Sequence, residues 1–408
     1  MIFPKKSLFS DISSLIKSFH ETQKSVPNVS NKFWFLDWKD IYCFSSFLIS
    51  TILVWIFTSI YGSFSSVSKY WDGPNYVYAA ITMYDIPQKN PWTQYFHYDP
   101  SYFACHLPGF PLVIRLFAFF TIGNYYIANL LAILFCSFLL SYSFRRLLII
   151  YDCVENPTRT TIFLSVFPMR LLIYHSVGAS EPLFLSCVCF SFIFYKTGEF
   201  VPMILSVWYG CFTRIEGNAI GFAIGVCYIL KFDIIRALKM FITFIPLITL
   251  LIFHKAMFND AFAYLTFNSK KQGLLQFPPF QEIVGKVRNT NPLYFHSFTS
   301  LFFPLLVSTL LMIPVCGPVA VFAMIFLAYV SLLRHIDLYR YSLPCGVFSL
   351  LIGFDSLFSS PQFLKSLPIV APLYIIICLV YSAGQINSNV CWDQFLKEVY
   401  EAAIDKMH

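Results

Sequence analysis

From Ile41 onward the chain is a succession of apolar runs, most of 12 to 22 residues, separated by short polar turns. Such a chain has nothing with which to coat a water-facing surface. Its residues are 57% hydrophobic and only 12% charged, about half the ~25% charged share of a soluble domain. A soluble enzyme, a nucleic-acid-binding domain, a disordered chain and a disulfide-stapled secreted domain are excluded together. Inside lipid the backbone must satisfy its own hydrogen bonds, so helices or closed barrels are the available spanning elements. The runs do not alternate polar and apolar as barrel strands do. The expected fold is an all-α integral membrane protein, a polytopic helical bundle of about 9–13 spans on the length rule for membrane helices.

The net charge of +7 then reports Lys and Arg in cytoplasmic loops and not affinity for nucleic acid. The cysteines sit mainly inside apolar runs, as small buried hydrophobes, and show no CxxC or Cys/His spacing. No metal and no cofactor is expected.

Residues 1–40 hold six Lys against four acids and precede the first span, Ile41–Gly62. They read as a cytosolic tail, which keeps the Asn28-Val29-Ser30 sequon away from the glycosylation machinery. The domain then runs over 41–384, with a C-terminal tail at 385–408. Residues 63–106 form a first long lumenal loop, in which Asp72, Tyr76, Ala80 and Met83 share a helical face after a Gly-Pro start. A short helix lying on the membrane surface is expected there. Leu107–Phe120 is too short to span and reads as re-entrant or interfacial, which keeps Arg145-Arg146, at the end of Ile127–Leu148, cytosolic. Further spans are read at Thr161–Tyr174, Pro182–Tyr195, Val201–Phe212, Asn218–Leu230 and Phe241–Phe253. A second long lumenal loop covers 255–298, and Leu301–Pro314, Val319–Leu333, Leu343–Leu357 and Pro368–Ala383 follow. No internal repeat is visible, which argues against a carrier built of paired halves.

On this topology the polar clusters outside the basic loops fall on the lumenal side: Trp71-Asp72-Gly73-Pro74-Asn75-Tyr76, Cys105–Pro111, Gly178–Pro182, Thr213–Asn218, Phe277-Pro278-Pro279-Phe280 and His335–Tyr341. Arg214 and Glu216 interrupt a 30-residue apolar stretch, Val201–Leu230, where charge is costly and marks a cavity or a partner. Two readings stand: a buried pair bracing a broken helix, or a guanidinium fork for a phosphate. Glu181 before Pro182 is either a first-turn acid favoured by the helix dipole or part of the same site. His106 and His335 read equally well as interfacial fillers and as substrate contacts, and Lys270-Lys271 as a solvated loop pair in preference to a phosphate site. Asp72 is a helix N-terminal acid or a general base. Activating a sugar hydroxyl takes one carboxylate that stays ionised at neutral pH. A lipid-phosphate leaving group needs no acid, only cations such as Arg214 or Arg340.

The ordered set WDGPNY, HLPGFPLVIRL, FPMRLLIYHSVGASEPLF and TRIEGNA resembles the GT-C superfamily of multi-span glycosyltransferases. It is most similar to the GPI mannosyltransferase II (PIG-V) family, matching at Trp71, Asp72, Pro108, Pro111, Pro168, Ser180, Glu181, Phe184, Thr213, Arg214 and Gly217. It departs at Phe167, Pro182 and Ile215-Glu216. Bacterial RgtA/B/C/D-like proteins are similar in FPPF and in the His335-x-Asp337-x-x-Arg340-Tyr341 run. The resemblance implies a GT-C-like bundle with lumenal loop helices and inverting transfer of a sugar, typically mannose, from a polyprenol (dolichyl) phosphate to a lipid-linked glycan or protein acceptor. In that reading Asp72 is the essential acid, and Trp71, Tyr76, His106, Glu181, Arg214, Glu216, His335 and Arg340 contact substrate. The setting implied is the endoplasmic reticulum, or the plasma membrane of a bacterium. A lipid or solute transporter and a non-catalytic subunit of a transferase complex are the rival classes.

Overall fold

The computed structural model describes residues 31–405 except 272, 278, 280–291 and 336. The sequon, most of the expected cytosolic tail, and the middle of the second long loop with part of FPPF lie outside the described residues. Helices account for nearly all regular structure, and the described residues hold no strand beyond two isolated bridges. We label the helices that matter here α1 (Trp38–Tyr61), α2 (Asp72–Thr82), α3 (Gly109–Phe120), α4 (Tyr125–Tyr151), α5 (Glu181–Thr197), α6 (Phe200–Thr213), α7 (Asn218–Leu230), α8 (Ile245–Phe258), α9 (Pro292–Val330), α10 (Pro361–Ser388) and α11 (Asp393–Asp405). Five helical segments are long and apolar enough to cross a membrane. Outward-facing rows such as Ile49, Ile52, Ile56 and Ile60 on α1, or Ile369, Leu373, Ile376 and Val380 on α10, are exposed. An unpartnered apolar belt of this kind belongs in lipid. The chain is an integral membrane helical bundle.

Helix α9 is a hairpin. Cys316 leaves helical geometry at φ −146°, ψ 60°, between Pro314 and Pro318. Leu301 and Tyr329 nonetheless pack against one small cluster, Leu274, Leu333 and Leu338. A straight helix would hold those two residues ~42 Å apart, so the chain reverses at Cys316. This agrees with the two separate segments read there. Thr161–Tyr174, read as one span, is two pieces, Pro157–Leu164 and Met169–Tyr174. Pro168 has no N–H to give and disfavours helix at Phe167. The break is buried and stitched by its neighbours. His175 contacts Ser165 O at 2.9 Å and Thr51 Oγ1 at 3.1 Å, Ser137 donates to His175 O, and Trp55 donates to Ser176 O.

Two ends can be told apart. At one, Arg145 binds Asp37 at 3.1 Å and Asp40 at 2.5 Å, Arg146 pairs with the other Asp40 oxygen, and Trp34 stacks on Phe194. Lys196 and Lys231 lie over Tyr151 and Tyr195 there. The expected basic side is thus gathered at one end. Its arginine pair, however, is a buried clasp on α1 and not a solvated loop, and residues 31–40 belong to the bundle. At the other end lie the start of α2, the start of α5, the α6–α7 junction and the turn Leu338–Tyr341.

Two expectations are corrected at this second end. Helix α2 does not lie on a surface, for all of its residues are buried. After Asp72 it carries no charge on any face, and a helix without a polar face is buried. Residues 389–405 are not a separate tail. Val390 bridges Tyr70, Cys391 N–H donates to Lys69 O, and α11 seats Phe395 and Val399 against Trp92 and its neighbours.

The clasp yields a stability test. Asp40 is enclosed and compensates two buried guanidiniums, so Asp40→Ala should cost about 3 kcal/mol or more. Asp37→Ala, at a half-exposed carboxylate, should cost far less. Thermal unfolding midpoints of the detergent-solubilised chain measure both. Cysteines introduced at Lys89 and Arg236, exposed at opposite ends, should be labelled from opposite faces of the membrane.

Candidate active site

Four breaks in helical structure supply the site. Asp72 is the first residue of α2, and its position is fixed because Trp71 N–H donates to Asn389 O at 3.2 Å. Glu181 opens α5, with Pro182 in the first turn. Arg214 is extended, φ −148°, ψ 139°, between α6 and the single turn Ile215–Gly217 that leads into α7. Arg340 sits on the turn Leu338–Tyr341, capped by Asp337. Two glycines let these pieces close up. A Cβ on Gly217 would fall inside the Gly210–Cys211 backbone, and one on Gly109 would lie 2.8 Å from Thr213 Cα.

The charges then form an alternating row. Arg340 pairs through Nη2 with Asp72 and donates from Nε to Glu181 Oε1 at 2.6 Å. Arg214 donates to that same Glu181 oxygen at 2.9 Å and reaches Glu216 Oε1 at 3.4 Å, where Tyr329 O–H also donates. On the far side of Asp72, His106 Nε2 stands 3.9 Å from the carboxylate, beyond hydrogen-bond reach, and 3.0 Å from Asn75 Nδ2. Asn75 is held in turn by Trp92 and Tyr102. Burial pushes the Asp72 carboxyl up, but the Arg340 guanidinium, with His106 adding to it, outweighs that and holds it well below the ordinary carboxylate range. Asp72 is therefore ionised at neutral pH. Burial likewise keeps His335 below the ordinary histidine range.

A cavity of about 530 Å³ opens over this row. It is lined by Trp71, Asp72, Tyr76, His106, Arg214, Glu216, His335 and Arg340, eight of the nine residues singled out in the sequence. The ninth, Glu181, lies beneath both arginines and is 1% exposed. Tyr76 is tied back to Ser180 at 3.0 Å, and His335 accepts the Asp337 N–H at 3.0 Å and packs edge-on to Tyr341. Glu181 Oε2, Arg214 Nε and His106 Nδ1 are buried without a hydrogen-bond partner among the described residues, a costly condition that an arriving polar ligand relieves.

Sequence reasoning gave no role to Arg170 or Tyr174, and named Asp337 only within the His335–Tyr341 run. Arg170 forks onto Asp337, with Nε to Oδ1 at 2.9 Å, and reaches Gln385 at 3.2 Å. Tyr174 O–H donates to Asp337 at 3.0 Å, and its ring carries Arg340 at 4.6 Å. The signal was present: Arg170 is the one charge in Thr161–Tyr174, as Arg214 and Glu216 are in their stretch. Each acid of the cavity faces arginine, and no group of His, Cys, Asp and Glu among the described residues is arranged to hold a metal.

The cavity floor is recessed. Helices α6 and α7 have 14 and 13 residues and so rise only ~20 Å from the basic end, short of the ~30 Å hydrocarbon core. The site combines guanidiniums for an anion, an ionised carboxylate for a proton, and a depth reachable from lipid. No protein-family model matches the chain, and no curated protein matches it.

The Gly217 contact is testable. Gly217→Ala drives a methyl group into backbone and should destabilise by about 1–3 kcal/mol, the usual cost of overpacking. The midpoint of thermal unfolding would register it, and an unchanged midpoint would mean that the α6–α7 junction is looser than its geometry.

Proposed function

We propose that the chain is a membrane glycosyltransferase of the GT-C kind, moving a sugar, mannose on the resemblance, from a polyprenol (dolichyl) phosphate to an acceptor hydroxyl. The observation that carries this reading is one recessed cavity in which an ionised carboxylate, Asp72, meets Arg214 and Arg340. A second, largely apolar cavity of about 500 Å³, lined by Phe167, Leu301, Pro304, Leu305, Leu350 and Tyr374 among others, shares Arg170 with the first. An apolar slot beside an arginine-lined chamber suits a donor with a long hydrocarbon tail and a phosphate head.

The chemistry follows from these parts. Asp72 takes the proton of the acceptor hydroxyl, and the oxygen attacks the anomeric carbon from the face opposite the phosphate. The bond from that carbon to the phosphate oxygen breaks, and its electron pair leaves on the phosphate, whose charge the guanidiniums stabilise. Configuration inverts, so a β-linked donor gives an α-linked product. The resemblance extends the reading to the endoplasmic reticulum membrane and to an acceptor such as a growing GPI anchor. A carrier needs polar groups along a path through both leaflets. Here the ionic groups of the cavity gather at one end, while Asp40, Arg145 and Arg146 at the other are locked to one another.

Membranes given labelled dolichyl-phosphate mannose test the reading. Asp72→Asn should lower transfer by about two orders of magnitude or more, the usual worth of a positioned base, with expression unchanged. Arg214→Lys keeps the charge, loses the fork, and should also fall substantially. Transfer within a few-fold of wild type in Asp72→Asn, or a product of retained configuration, would remove Asp72 from the mechanism. Normal transfer in Arg214→Lys would make that arginine structural.

A further inference from the structure

Paired with Arg340, Asp72 is not poised as a base. Its charge is spent on Arg340, and a carboxylate locked to a guanidinium is a poor proton acceptor. Yet Arg340 is the member of the row best able to leave. Its side chain is 18% exposed, against 11% for Arg214, 7% for Glu216 and 1% for Glu181. It lies across the face of Tyr174 at 4.6 Å, a contact that constrains height above the ring more than lateral position. Its Nε bond to Glu181 is separate from the Nη2 that pairs with Asp72, so the guanidinium keeps one carboxylate partner when it exchanges the other. Arg214 is likewise held by two carboxylates, Glu181 and Glu216, but is the less exposed of the two arginines.

We infer that a phosphate ester entering the cavity competes with Asp72 for Arg340, so that binding the anion is itself what frees the carboxylate. Arg340 is thus a positioning residue that acts through Asp72. His106, the other side chain facing Asp72, stands 3.9 Å away, beyond hydrogen-bond reach, and does not replace the lost pair. The competition stands on the geometry alone. Its consequence for catalysis rests on the transferase reading: the base is switched on only after the donor has arrived, donor binds before acceptor, and water in an empty cavity meets an inactive carboxylate.

The competition is measured without turnover, by equilibrium binding to the purified full chain in detergent. Two probes are used, citronellyl phosphate as a short lipid phosphate and inorganic phosphate as the free anion. Asp72→Asn removes the competitor and should tighten binding about tenfold, in the range of coupling between linked sites, while Arg340→Gln should weaken it by a similar factor. Loss of a negative charge would by itself favour anions, so the double variant decides. If Asp72 acts through Arg340, Asp72→Asn gives no gain in the Arg340→Gln background. An equal gain in both backgrounds, or unchanged affinity in Asp72→Asn, overturns the proposal. Asp72→Ser supplies the same reading should the Asn variant misfold. Tightening seen with citronellyl phosphate alone assigns the site to a lipid phosphate, and tightening with both assigns it to the phosphate group. If the chain transfers no sugar but the competition holds, the latch survives and the transferase reading falls. Transfer without competition has the opposite meaning.

Discussion

One carboxylate oxygen, Glu181 Oε1, accepts from two guanidiniums, Arg214 and Arg340. In a medium of low polarity two cations that close would drive their helices apart. Shared on one anion they hold three breaks in the bundle together: the start of α5, the α6–α7 junction and the turn Leu338–Tyr341. The row continues outward to Glu216 on one side and Asp72 on the other, so charge alternates along its whole length. Helices α6 and α7 both stop at the junction whose Arg214 reaches the shared oxygen.

The sequence made part of this legible and hid the rest for identifiable reasons. Isolated charges within apolar runs announce themselves by their cost, which is how Arg214 and Glu216 stood out and how Arg170 could have. Pairing is another matter. Arg170 and Asp337 are 167 residues apart, and no local pattern links them. Asp72 was visible as an acid opening a helix, but not its partner or its depth. The burial of α2 depends on α11 and the loop helices covering it, a tertiary fact carried by residues three hundred positions away. In the same way 389–405 looked like a tail because its single apolar row, Phe395 to Val399, is too short to suggest a span and gains meaning only against Trp92.

The two ends use the same ionic chemistry to opposite purpose. At the basic end both Asp40 oxygens are taken by arginine, and Arg146 lies between Phe33 and Tyr142. The cluster is closed, and it fastens the first helix to the fourth. At the cavity end the pairs are strung along a wall that faces open volume. A closed cluster stabilises, whereas a row with one open side can exchange a partner for a ligand.

The shortness of α3, α6, α7 and the second arm of the α9 hairpin sets a relation between the protein and the thickness of its bilayer. Beside α1, α4 and α10 a full hydrocarbon layer is matched, but along the short elements it is not. Lipids there must thin, or their headgroups must sag toward the cavity rim. A bilayer of ~27 Å needs little such deformation, whereas one of ~32–33 Å would drape several ångströms of acyl chain across the mouth. The same sag brings lipid headgroups toward the depth of Arg170 and Arg340. Membrane thickness is therefore a variable of this site, as surely as any side chain that lines it.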